Sequence, residues 1–134
     1  PPARRPVGEP LLAALADWKA PVDPLLALID GWEAMLDPER PDVMALADGR
    51  AVLGRGLAIQ AGMPHAVETA AAALRGWSLA ACSAGGALPK LVLPRSLRAL
   101  AVLYGLARRN DGKTPLLDGP LALAAAMRIG MIGR

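Results

Sequence analysis

Phenylalanine is absent from this chain, and its aromatic residues are limited to three Trp and one Tyr. A core must therefore be built from Leu, Ala, Val, Met and Ile. Leu and Ala favour helices, and the shortage of aromatic and β-branched residues argues against extensive sheet. Only one cysteine, Cys82, is present, which excludes an intramolecular disulfide and gives no sign of an oxidising compartment. Its neighbours Ala81 and Ser83 sit in an apolar helical pattern, so Cys82 is expected to be buried and inert. The single histidine, His65, follows Pro64 at a helix start with no cysteine near it in sequence, and a surface or capping role is expected there rather than a metal site. No apolar run reaches the roughly 18–20 residues of a membrane span, and the run from Leu121 to Met127 is interrupted by Arg128. The first residues, Pro1 to Pro6, lack the apolar stretch of a signal peptide. Phosphate-cradling loops of the P-loop or Gly-x-Gly-x-x-Gly kind are missing, because Gly54-Arg55-Gly56 lies within a helical pattern instead of after a strand. Without stacking aromatics, nucleic-acid binding is not expected.

What is present is apolar and divided in charge. Hydrophobic residues make up 54% of the 134, enough to build a core. Residues 1–68 hold 6 Lys/Arg against 10 Asp/Glu, and residues 69–134 hold 9 against 2. A basic half suits phosphates, acidic headgroups or an acidic partner, and it equally suits the solvated outside of ordinary helices.

Pro and Gly divide the chain into a flexible tail (residues 1–8) and one helical domain (residues 9–134) of about six helices. The first segment runs from about Glu9 to Lys19. The second begins near Asp23-Pro24, where Asp23 can cap and Pro24 fits the first turn. Leu25, Leu28, Ile29, Trp32 and Leu36 follow the spacing of a buried stripe, and Asp37-Pro38 ends the segment. The third, from Asp42 to Ala61, carries Gly49, Gly54 and Gly56; glycines there imply close approach of a neighbouring helix. The fourth, from Pro64 to Ala84, has Val67, Ala70, Ala71, Leu74, Trp77 and Ala81 on one face and ends at Gly85-Gly86. Residues 87–93 read as a strand or a buried linker. The fifth starts near Pro94 with Leu97, Leu100, Ala101 and Tyr104 at helical spacing, and ends in Arg108-Arg109-Asn110. The sixth runs from Pro120 to Ile132. Short connections predict that consecutive helices pack antiparallel.

Two candidate sites emerge. Asp30, Glu33 and Asp37 could clamp a divalent ion, although a solvated acidic face is the simpler reading. Arg95 and Arg98 lie near a helix N-terminus, which already favours anions, and are the candidates for holding a phosphate or an acidic partner.

The stretch from Leu28 to Leu36, LIDGWEAML, resembles a helix of the squalene/phytoene synthases. The stretch from Gly76 to Ser83, GWSLAACS, is similar to the helix that carries that family's second aspartate-rich motif. Val92-Leu93-Pro94 falls where the family has a hydrophobic-Leu-Pro signature, and Leu97 to Arg109 resembles the helix that follows. The resemblance covers residues 24–110 and rests on small and apolar positions. It implies the C-terminal half of an all-α bundle with a deep cavity, in which two aspartate-rich motifs bind magnesium and magnesium grips the diphosphates of two prenyl substrates. This chain has no Asp or Glu between Glu68 and Asp111. The second motif is therefore erased, and no catalytic or metal residue can be carried over.

The expectation is a non-catalytic domain with a partner-binding or assembly role, as the resemblance implies for family members that act as assembly factors. It needs no cofactor, and is cytoplasmic or at the periphery of a membrane. A second reading completes a prenyl transferase with a missing half or a second subunit; only that reading requires magnesium. A third takes an isoprenoid diphosphate or other lipid into an apolar cavity with a cationic mouth. The apolar fraction further predicts a homo-oligomer or a protein partner over an exposed face.

Overall fold

A computed structural model describes residues 15–84, 86–109 and 120–132. These form five α-helices: α1 (Asp23–Glu33), α2 (Val43–Gln60), α3 (Val67–Ala81), α4 (Arg98–Arg109) and α5 (Pro120–Ile132). Single 3₁₀ turns, Pro64–Ala66 and Arg95–Leu97, lead into α3 and α4. No strand occurs among the described residues, and 87–93 is a linker without regular secondary structure. The expected tail at 1–8 lies outside the described residues. So do residues 9–14 of the expected first helix; in its described part only Leu15 is helical, and residues 16–19 are turn and irregular chain, so the helix does not reach Lys19.

The helices stack in chain order. α2 packs on α1 and α3, α4 packs on α3, and α5 packs on α4. Local chemistry explains several boundaries. Asp42 Oδ1 accepts from the Ala45 N–H and caps α2. Gly62, at φ 69°, closes the other end of α2 with Met63 N–H donating to the Ala58 carbonyl. α3 ends earlier than the glycine pair suggested. Its left-handed residue is Ser83 at φ 54°, and the Ala84 N–H donates back to the Leu79 carbonyl. At the start of α1, Asp23 is the first helical residue and not a cap.

The core lies between α2, α3 and α4, where Ala58, Ala66, Ala70, Leu74, Leu97 and Leu100 are buried. Its residues are small, so the helices come close. A Cβ at Gly54 would stand 2.6 Å from the Ala70 carbonyl oxygen and 3.0 Å from the Ala71 Cα. The expectation that these glycines mark a close helix approach is met. Tyr104 spans the gap beyond the core, and its hydroxyl donates to the Pro89 carbonyl at 2.8 Å, tying the linker to α4.

The stripe on α1 is a correction. Leu25 and Leu28 are half-buried, but Ile29, Trp32 and Leu36 are 52%, 50% and 76% exposed. The helix instead turns Pro24, Ala27 and Gly31 toward α2. A Cβ at Gly31 would stand 3.0 Å from the Leu46 Cα, and one at Gly56 would stand 2.7 Å from the Pro24 Cβ. Gly49 lies directly against the Ala27 carbonyl. Two glycine-bearing surfaces interlock at backbone distance, and that contact outweighs the burial of larger side chains on the opposite face. Helix α1 also stops at Glu33, and Asp37 Oδ1 accepts from the Glu39 and Arg40 N–H groups in the turn that follows.

Burial raises the Tyr104 pKa above its usual value near 10, with the Arg108 charge opposing. A raised folded-state pKa gives stability that is complete below the unfolded pKa and is lost as pH rises through the folded one. Alkali above about pH 10 is therefore expected to destabilise the wild type more than Tyr104→Phe, measured by denaturant midpoint against pH.

Candidate functional site

One charged side chain reaches into the junction of three helices. Arg50, on α2, is partly buried, with its guanidinium 4.5 Å from the ring centroid of Trp77 on α3 and 5.1 Å from that of Trp32 on α1. Its Nη1 donates to Ser78 Oγ at 3.0 Å. Ser78 is fully buried and is the one buried polar residue among those described. A planar, weakly hydrated guanidinium can lie between two indoles while keeping its in-plane N–H groups for oxygen acceptors, which an ammonium does less well. Burial lowers the Arg50 pKa and the nearby Cys82 raises it; the arginine remains charged throughout the ordinary pH range. Arg50 thus joins α1, α2 and α3 by charge and stacking.

This cluster was only half visible in the sequence. Trp32 and Trp77 stand out as stripe residues, but nothing in the spacing pairs them, and Arg50 lies in a glycine-rich helix with no charge motif. Cys82, expected to be buried, is half-exposed at the C-cap of α3.

The other candidates stand apart from this junction. Arg95 is exposed in the 3₁₀ turn, and Arg98 is the exposed first residue of α4. Asp30, Glu33 and Asp37 are exposed along α1 and the turn after it, and His65 is exposed in the Pro64–Ala66 turn. Among the described residues, no three His, Cys, Asp or Glu side chains come together in a metal-holding group. Two exposed ion pairs cross from α2 to α3: Arg55 Nε with Glu68 Oε1 at 3.0 Å, and Arg75 Nε with Asp48 Oδ1 at 2.7 Å. The Arg55–Glu68 hydrogen bond raises the arginine pKa and lowers that of the carboxylate. Exposed pairs of this kind contribute little to stability.

An apolar face is also exposed. Val22, Leu26, Ile29, Trp32 and Leu36 are exposed along α1 and its flanks, each at least half open to solvent. Large side chains gathered on one outer face mark an interaction surface more often than scattered ones do. At the other end of the stack, Leu123, Met127 and Met131 are exposed on α5 at i, i+4 and i+8. No described helix is long and apolar enough to cross a membrane.

No family model, curated protein or solved structure matches this chain.

Proposed function

We propose that this protein is a non-catalytic, partner-binding helical module whose docking face is the outer side of α1. The observation that carries this is the inversion of that helix: its small residues pack inward, while Leu26, Ile29 and Trp32 face solvent at 51%, 52% and 50% exposure. The site at Arg50 supports the same reading, because stacking on Arg50 holds Trp32 at the edge of the apolar face. Trp, with Tyr and Arg, is enriched among the residues that dominate interface energies. The reading stands on this surface and not on the resemblance to squalene/phytoene synthases.

Because the face is exposed in the free protein, Ile29→Ser is expected to change unfolding free energy by no more than about 0.5 kcal/mol. A loss beyond about 2 kcal/mol would place this side chain in a core and contradict the reading. The functional test is a photo-crosslinking residue at position 26, introduced in the protein's own cells. Discrete adducts of defined size are expected, one for a different protein or a regular series for further copies of the chain, and the same residue at exposed Glu39 is expected to give none. A diffuse ladder from both positions would overturn the proposal.

A further inference from the structure

The two ends of the helical stack differ in charge, and each presents exposed apolar side chains. Residues 20–39, which contain α1, carry five acidic residues (Asp23, Asp30, Glu33, Asp37 and Glu39) and no Lys or Arg. Residues 86–134, which contain α4 and α5, carry eight Lys/Arg against two Asp (Asp111 and Asp118), and Arg128 is the charged residue of α5 itself. Each end also presents an apolar stripe. On α1 it is Val22, Leu26 and Ile29, at i, i+4 and i+7. On α5 it is Leu123, Met127 and Met131. Because each helix packs on its neighbours in sequence, these two stripes terminate opposite ends of one array.

Each internal helix packs on both of its neighbours in sequence, whereas among the described residues α1 and α5 each pack on one. An acidic apolar helix face is complementary to a basic apolar one, whereas two copies of the same face would bring like charges together. We infer that the α1 face of one copy receives the α5 face of a second copy, so that the chain associates head to tail. This rests on the partner-binding reading of α1 and names the partner as the chain itself. A heterologous contact of this sort continues into a filament or closes into a ring, in contrast to a two-fold dimer. The flexible Met127 and Met131 side chains suit a surface that must fit against Leu26 and Ile29. Arg95 and Arg98 belong to the basic end in this arrangement and supply long-range attraction, not a discrete anion site.

The test uses two capped variants of the whole chain. Ile29→Glu blocks the α1 end and Met127→Glu blocks the α5 end; both positions are more than half exposed, so folding is expected to survive and circular dichroism checks it. In sedimentation velocity, the wild type is expected to grow beyond a dimer as concentration rises, and added salt is expected to weaken that growth. Each capped variant alone is expected to be a monomer, and an equimolar mixture is expected to form a one-to-one dimer through the remaining intact ends. Arg128→Glu is expected to raise the apparent dissociation constant about tenfold, a change of about 1.4 kcal/mol. A wild type that stays monomeric at high micromolar concentration overturns the inference. So does a Met127→Glu variant that still dimerises while the mixture forms nothing new, since that pattern means α1 meets α1. If the wild type is monomeric yet the crosslinker at position 26 captures one different protein, the partner-binding reading stands and self-association falls.

Discussion

Gly54→Ala is expected to destabilise the fold by about 2–4 kcal/mol, read from the shift in urea midpoint at unchanged slope. The sign is what makes the experiment informative. In an exposed helix interior, replacing Gly by Ala stabilises by roughly 0.5–1 kcal/mol, because alanine loses less backbone freedom on folding. At Gly54 the added methyl would meet the Ala70 carbonyl oxygen at 2.6 Å, its carbon at 2.8 Å and the Ala71 Cα at 3.0 Å. All three atoms belong to the backbone of α3, which cannot move aside without separating the two helices. Gly49→Ala is expected to behave alike, because its methyl would press on the Ala27 carbonyl of α1. The control is Gly130→Ala in α5. Its methyl would find only Val102 Cγ2 at 3.8 Å, an ordinary contact, and the variant is expected to gain about 0.5 kcal/mol. If Gly54→Ala and Gly130→Ala were equally stabilising, the close packing of α2 on α3 would be wrong.

Arg50→Ala has the second largest expected effect, a loss of about 2–3 kcal/mol. It removes two cation–π contacts and deprives the buried Ser78 hydroxyl of its partner. Arg50→Lys is expected to recover less than half, since an ammonium cannot lie flat between two indoles while also donating in plane. Ser78→Ala alone should cost about 1 kcal/mol or less, because it removes both the hydroxyl and its need for a partner. A double-mutant cycle between positions 50 and 78 therefore isolates their coupling, expected at about 1 kcal/mol. Tryptophan emission gives a second readout. Trp32 is held on Arg50, so Arg50→Ala is expected to shift emission to the red and to weaken any association through the α1 face. Loss of stability without a change in emission would mean that Arg50 braces α3 alone.

Gly49→Ala and Arg50→Ala bear on function through α1. The interlocked glycines decide which side of α1 faces inward, and Arg50 holds Trp32 where the outer face begins. A chain that lost either contact would still be helical but would present a different surface.

The sequence by itself determined that this protein is helical, and where most helices begin and end. Ala and Leu without Phe, and proline at helix starts, are local signals, and helix formation responds to local signals; the one cap read from the sequence, Asp23, proved to be the first helical residue instead. It also showed that Gly49, Gly54 and Gly56 need a neighbour at close range, and that charge is divided between the two halves. Only the tertiary structure decided which face of α1 is buried. Hydrophobic spacing favoured Leu25, Leu28, Ile29, Trp32 and Leu36, but spacing scores each side chain for its own transfer from water and knows nothing of the surface it will meet. That surface is α2, whose glycines admit a backbone and not a branched side chain, so Pro24, Ala27 and Gly31 go inward and the larger residues remain outside. The Arg50 cluster escaped the sequence for the same reason. Trp32, Arg50 and Ser78 are separated by 18 and 28 residues along the chain, and only the packing of three helices brings their side chains together.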